Sequence, residues 1–394
     1  MSTRSTVEFL KTETGAGLLL AFAAALAIAW ANSPWTDTYA AFIGHPVTVQ
    51  VGPFLETMSV LGWVKTGLMP IFFFVVGLEI KHEILRGELS NPRRLALPLL
   101  AGLGGVVVPA AIYLALNAGP DGAPQGWPTP VATDIAFALA ALAVVGPRLP
   151  PALRIFLLTL AIADDLAAVA LIAVVFSHDL RPWMLGGALS TLLVMLAMGR
   201  WRGAPYVFYA LGGLLLWGFM LKSGVNTSLA GVAAAFAIPL EPKRPGQPGV
   251  LQETMEALHP YVAFVILPLF AFTAAGFSLR GLSSQEAAAP IALGVALALF
   301  LGKQIGVFGA AALVIGLKLA RRPTGAKWLE LYGVSVLCGI GFTMSLYIGA
   351  LAFPEDGALT QAQVRLGVIG GSLASTVYGM AILAWAQARR PREY

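Results

Sequence analysis

The sequence predicts an all-α integral membrane protein with about twelve transmembrane helices, two of them interrupted, and one small extramembrane β-hairpin. Three observations carry that expectation. Apolar residues make up 58% of the 394 positions and charged ones only 11%, at a mean hydropathy of +0.79, where soluble domains carry about 25% charge. The apolar residues fall into runs of membrane-crossing length joined by short polar connections. Lys and Arg gather at the ends of those runs, as membrane topology requires, and not in one patch. A net charge of +5 therefore signals no nucleic-acid partner. The single cysteine, Cys338, excludes a disulfide framework and a cysteine-based metal cluster, and no cofactor is expected.

In chain order, the spans are expected near 14–31, 59–80, 95–117, 129–146, 154–176, 184–199, 205–221, 225–240, 260–277, 290–317, 328–350 and 364–387. The first follows Arg4 and Lys11 and ends in AWANSPW without a small-x-small cleavage site, so it reads as a retained signal anchor. Between the first and second, HPVTVQVGP (45–53) alternates β-branched residues between prolines and suggests a strand or hairpin. In the fourth, Pro128 and Pro130 precede Thr133 and Asp134, and each proline removes a backbone donor, so a full-length regular helix is not expected. The eleventh carries Gly339-Ile340-Gly341 at its middle, a cause of kinks, although such a pair also serves close helix packing. One interrupted span in each half points to inverted repeats, roughly 95–177 and 290–387, within a single polytopic domain covering 1–394.

Orientation follows from the cations. Arg4, Lys11, Lys81, Arg86, Arg93, Arg94, Arg148, Arg154, Arg200, Arg202, Lys243, Arg244, Lys318, Arg321, Arg322, Lys327, Arg389, Arg390 and Arg392 fall on one side. Lys65, Arg181, Lys222, Arg280 and Arg365 fall on the other. The imbalance places both termini in the cytoplasm with an even number of spans.

Four charges belong to no loop. Asp164 and Asp165 lie about ten residues into the fifth span, or ~15 Å at the helical rise, near the midplane of the hydrocarbon. A carboxylate there costs roughly 2.5–3.5 kcal/mol on the lenient insertion scale, so its default reading is an ion or proton pathway. Asp134 and Lys303 lie at similar depth, and isolated charges would cost more than paired ones, so a single cluster is expected. Broken helices aim dipole ends at each other. Asp134 is the candidate to offset the positive ends and Lys303 the negative ones. Carboxylate oxygens suit a small hard cation such as Na⁺ or Li⁺ and bind protons as well, so cation and proton would compete at Asp164 and Asp165.

The motifs FFFVVGLEIKHEIL (72–85), VATDIAFAL (131–139), LAIADDLAAV (160–169), SGVNTSLAGV (223–232), HPYVAFVILPLFAFTAAG (259–276), LGKQIG (301–306) and LCGIGFTMSLYIG (337–349) run in order through nearly the whole chain. Together they resemble the NhaA-type bacterial sodium/proton antiporters. The resemblance implies electrogenic exchange of Na⁺ or Li⁺ for H⁺ across the inner membrane by alternating access, in the service of pH and sodium homeostasis. It makes Asp164 and Asp165 the cation and proton site, and Lys303 the partner of the first aspartate. Thr133 and Asp134, with Gly339 and Gly341, mark the helix breaks. Glu79 and Glu83 fall where the family's pH response is associated, and the hairpin fits a homodimer within membrane lipid; His82 and His259 read as interfacial histidines, although a cytoplasmic cluster of His and Glu is where a pH sensor would sit. Asn226 and Met255 stand where some members carry His and an acid, loci associated with pH sensing, so the resemblance implies the transport site for this chain but not the family's pH profile.

Two other classes compete. A sodium-coupled symporter of an organic solute needs a polar cavity, whereas the polar intramembrane residues here suffice for an ion. A membrane-embedded aspartyl protease needs an acid after Gly-x-Gly, where Phe342 stands. A metal-dependent transferase needs acids at i and i+4 near the surface, and Asp164 and Asp165 are consecutive and deep.

Overall fold

The computed structural model describes residues 13–52, 54–87, 92–146, 148–177, 179–199, 205–242, 249–280, 282–354 and 357–390. Arg4, Lys11, Arg200, Arg202, Lys243, Arg244 and Arg392 of the orientation argument lie outside them, as does Pro53 of the hairpin motif. The helices are α1 (Glu13–Ala31), α2 (Thr36–Gly44), α3 (Val60–Leu85), α4 (Pro92–Leu116), α5 (Ile135–Val145), α6 (Pro151–Val175) and α7 (Pro182–Met198). They continue with α8 (Tyr206–Ser223), α9 (Ser228–Ala237), α10 (Val250–Ala275), α11 (Ser284–Gly316), α12 (Trp328–Leu337), α13 (Phe342–Ala352) and α14 (Ala358–Ala388). Among the described residues, eight helices are long and apolar enough to cross a membrane. The pair α12 and α13, bent by 43°, makes a ninth, and the shorter apolar helices α5, α7 and α9 stand at the remaining expected positions. Their outer faces carry exposed apolar side chains, Val174 at 82% and Leu313 at 62%, which water would penalise and lipid tails would cover.

The fourth and eleventh spans are interrupted where proline and glycine place the breaks. Helix α5 does not begin until Ile135, so 131–134 is non-helical. In the eleventh, α12 ends at Leu337 and α13 resumes at Phe342. The remaining expected spans form continuous helices, but three contain widened π-helical turns. Two lie just before helix-interior prolines, Val64–Leu68 before Pro70 and Val262–Ile266 before Pro268, where a missing N–H disturbs the ladder. The others, Ala298–Gly302 and Gln304–Phe308, flank Lys303 directly.

The chain forms two compact units. The first holds residues 1–28, 91–168 and 277–394, and the second 29–90 and 169–276. In the first, α4 and α11 touch backbone to backbone: a Cβ on Gly104 would lie 2.2 Å from the Gly306 carbonyl oxygen, and one on Gly306 2.1 Å from that of Gly104. Small residues permit this approach, and it brings Lys303 beside α4. Buried Asn117 joins the same helices, its Nδ2 donating to the Tyr113 and Pro290 carbonyls at 3.0 Å each.

In the second unit α3 packs along α9, with Leu78, Ala234 and Ala235 in a core shared with Met195, Tyr209 and Leu216. The expected end of the second span at residue 80 falls short, since α3 continues to Leu85. Its polar end has a structural reason: Lys81 Nζ donates to the carbonyls of Phe236 and Ile238 at 2.7 and 2.6 Å, closing the C-terminus of α9. The hairpin pairs β1 (Pro46–Val51) with β2 (Phe54–Ser59) antiparallel, Val51 opposite Phe54, and so extends six residues beyond the expected 45–53. Trp63 Nε1 donates to the Val47 carbonyl at 2.8 Å, and Lys222 pairs with Glu56. These contacts tie the ribbon to its unit.

Candidate functional site

Asp134 precedes α5 with an extended backbone, φ −82° and ψ 100°, and its side chain closes two helices at once. Oδ1 accepts the Phe137 N–H of α5 at 3.1 Å, while Oδ2 accepts the Thr343 N–H of α13 at 3.0 Å and the Thr343 hydroxyl. One carboxylate thus meets the positive ends of both half-helices, where a membrane interior supplies no water to do so. The non-helical segments cross here as well, the Asp134 N–H donating to the Ile340 carbonyl at 2.6 Å.

Thr133 links this crossing to α6. Its Oγ1 lies 2.7 Å from Asp164 Oδ2 and 2.9 Å from the Cys338 carbonyl oxygen. Asp164 Oδ2 also accepts from Lys303 Nζ at 2.5 Å, and neither side chain of that pair is exposed at all. The other oxygen, Asp164 Oδ1, is buried without a hydrogen-bond partner. Asp165, one residue on, is 1% exposed. The structure therefore collects Asp164, Asp165, Thr133, Asp134 and Lys303 in the first unit. Lys303, a candidate for the negative helix ends, forms its short contact with Asp164. Charge on Asp164 is compensated by ammonium and hydroxyl, and its open oxygen leaves lone pairs for a cation or a further donor.

Gly339 and Gly341 serve both readings made of them. They lie in the break, and they pack closely: a Cβ on Gly339 would sit 2.5 Å from the Leu299 carbonyl oxygen, and one on Gly341 2.7 Å from the Leu299 side chain. Sequence reasoning missed Thr343, Ser372 and the Cys338 carbonyl. Ser372 Oγ on α14 accepts the Gly341 and Phe342 N–H groups at 3.2 and 3.1 Å.

The residues singled out for a pH response lie in the second unit. His259 Nδ1 is 4.0 Å from Glu79 Oε1, and His82 Nδ1 is 3.7 Å from Glu83 Oε1. Asn226 Oδ1 accepts the Ser228 N–H at 2.9 Å in the turn that leads into α9, while Met255 packs against the core of that unit.

Residues 7–383 match the family model described as Na⁺/H⁺ antiporter 1. A protein of Nitrobacter hamburgensis named Na⁺/H⁺ antiporter NhaA is 48% identical over 97% of this chain and 92% of its own length. Proteins of the same name are 48% identical in Bordetella parapertussis, over 95% of each chain, and 45% identical in Pseudomonas putida, over 98% of each. With the family model covering nearly the whole sequence, the chain belongs to the Na⁺/H⁺ antiporter 1 family.

Proposed function

We propose that this protein is a secondary transporter exchanging Na⁺ or Li⁺ for H⁺ across the cytoplasmic membrane by alternating access, with Asp164 and Asp165 as the shared cation and proton site. The observation that carries the reading is the fully buried Lys303–Asp164 pair beside two crossed, interrupted spans, with Asp164 Oδ1 left without a partner. Na⁺ and the lysine ammonium carry the same charge and compete for one carboxylate. As Na⁺ reaches the oxygens of Asp164 and Asp165, Asp165 gives up its proton, and Lys303 yields its contact and gives up the one proton that the Lys303–Asp164 pair holds. On the opposite side, Na⁺ departs, one proton returns to Asp165 and one to the Lys303 amine, and the ion pair re-forms. The breaks at 131–134 and 338–341 supply backbone outside regular helix, where two half-spans can tilt without tearing a ladder. Asp134 stays with the helix ends and holds them together.

Both termini face the cytoplasm in this reading, by the distribution of Lys and Arg. Two copies associate in the lipid bilayer through the hairpin, whose Val51 and Leu55 stand 69% and 53% exposed on a two-stranded ribbon with open edges. The Glu79–His259 and Glu83–His82 pairs set the response to cytoplasmic pH, each placing an imidazole beside a carboxylate at the expected cytoplasmic end of its span. Relatives named Na⁺/H⁺ antiporter NhaA, 45–48% identical over nearly the whole chain, disfavour symport. The test is flux in proteoliposomes with an acidic lumen, following luminal pH after adding Na⁺, Li⁺ or K⁺. Recovery with Na⁺ or Li⁺ but not K⁺ is expected, and no recovery with any of them overturns the reading.

A further inference from the structure

We infer that Ser372, a residue of the last span, is a positioning residue that sets cation affinity at Asp164 through the break in the eleventh span. The inference rests on the exchange reading above. Helix α13 starts in mid-span, and the first N–H groups of any helix lack partners within it. At a water-exposed start a preceding Ser, Thr or Asp would accept them, but here the preceding residue is Gly341, which has no side chain to offer. The acceptors come from elsewhere. Ser372 Oγ, 5% exposed, takes the N–H groups of Gly341 and Phe342, and Asp134 Oδ2 takes that of Thr343.

The segment 338–341 is therefore held at three places: Ser372 fixes its Gly341 end, the Asp134 N–H holds the Ile340 carbonyl, and Thr133 Oγ1 meets the Cys338 carbonyl at the other end. Thr133 has one hydroxyl proton and two acceptors in reach, the Cys338 carbonyl at 2.9 Å and Asp164 Oδ2 at 2.7 Å. Where the Cys338 carbonyl sits decides how that proton is divided. A carbonyl that drifts away leaves the whole hydrogen bond to Asp164, and a carboxylate that accepts a stronger hydrogen bond is a poorer ligand for Na⁺. Ser372 holds the segment in the position that keeps the proton shared. Ser375, three residues along the same helix, lies beside Gly339 but its buried hydroxyl has no hydrogen-bond partner, so it carries none of this load.

The experiment measures Na⁺-dependent proton release in proteoliposomes, with rates referred to the amount of reconstituted protein. Wild type is compared with Ser372→Ala, Ser372→Thr and Ser375→Ala. Losing one net hydrogen bond's worth of order at the site should raise the KM for Na⁺ about fivefold in Ser372→Ala, with the maximal rate little changed. Ser372→Thr, which keeps the hydroxyl, should recover most of the wild-type KM, and Ser375→Ala should match wild type. A merely structural role would lower the maximal rate per reconstituted protein, through an inactive misfolded fraction, and leave KM alone. That result, or an unchanged KM in Ser372→Ala beside an active wild type, overturns the inference while sparing the exchange reading. A wild type that moves no Na⁺ overturns both.

Discussion

Lys303 and Asp164 hold opposite charges 2.5 Å apart where neither is exposed, so the consequences of removing either follow directly. Asp164→Asn and Asp165→Asn are each expected to abolish Na⁺-dependent proton release while the protein still folds. An amide keeps the shape of the acid but neither releases a proton nor gives a full charge to Na⁺. Wild-type rate and affinity in either variant would remove that residue from the site. Lys303→Ala leaves a carboxylate uncompensated, a loss of about 3–5 kcal/mol in soluble interiors and less where lipid-embedded partners rearrange. Its thermal stability should fall, and the double variant Lys303→Ala with Asp164→Asn should regain part of it, measured as the melting temperature of purified protein. No recovery would mean that the two side chains are not energetically coupled. The four deep charges were legible from sequence because a charge in an apolar run has no bland explanation. Thr343 and Ser372 were not, because a hydroxyl in a membrane helix commonly bonds its own helix, as Thr159 does to the Ile155 carbonyl and Ser335 to that of Leu331. Only the fold reveals which hydroxyls reach across.

The breaks were readable at the level of the element, since Pro128, Pro130 and the Gly339-Ile340-Gly341 triplet each deny a regular ladder, and the structure interrupts the helices there. What the pattern did not give was the end of α3 or the second hairpin strand. Lys81 reads as the start of a loop until the carbonyls of Phe236 and Ile238 are placed beside it. The strand Phe54–Ser59 runs without a gap into Val60 of α3, so no turn residue marks its far end. The π-helical turns around Lys303 have no proline to announce them. They sit where α11 meets α4 through Gly306 and Gly104, and that contact carries its own prediction. Gly306→Val would drive side-chain atoms into the Gly104 backbone, which lies 2.1 Å from a Cβ there, and overpacking of this kind costs about 1–3 kcal/mol. Because the same contact seats the helix of Lys303, the variant should lose transport along with stability. Gly309→Val, three residues on, meets nothing within 4 Å and should retain both. Equal behaviour of the two variants, in flux and in melting, would show that the close approach does not matter.

For the molecule as a whole, the spans and their order were legible because hydrocarbon imposes length and polarity on every segment. The division into two compact units was not, because each unit collects pieces distant in sequence, and periodicity says nothing about which helices meet. The grouping still bears on the chemistry. The candidate site lies entirely within the unit holding 91–168 and 277–394, so its charge changes occur on one body. In the exchange reading, Asp165 and the Lys303–Asp164 pair carry two protons one way, the two carboxylates carry one monovalent cation the other, and each cycle moves net charge across the bilayer. A membrane potential then contributes roughly 2.3 kcal/mol per net charge per 100 mV, enough to drive Na⁺ out of an inside-negative cell without help from a pH gradient. Adding Na⁺ to one side of proteoliposomes should therefore generate a potential, read with a voltage-sensitive dye. Clamping it at zero with valinomycin and K⁺ should speed turnover by removing the opposing field. Exchange with no potential and no response to valinomycin would mean that a single proton moves per cation. The Lys303–Asp164 pair would then stay closed throughout the cycle, leaving Asp165 as the only carboxylate that trades its proton.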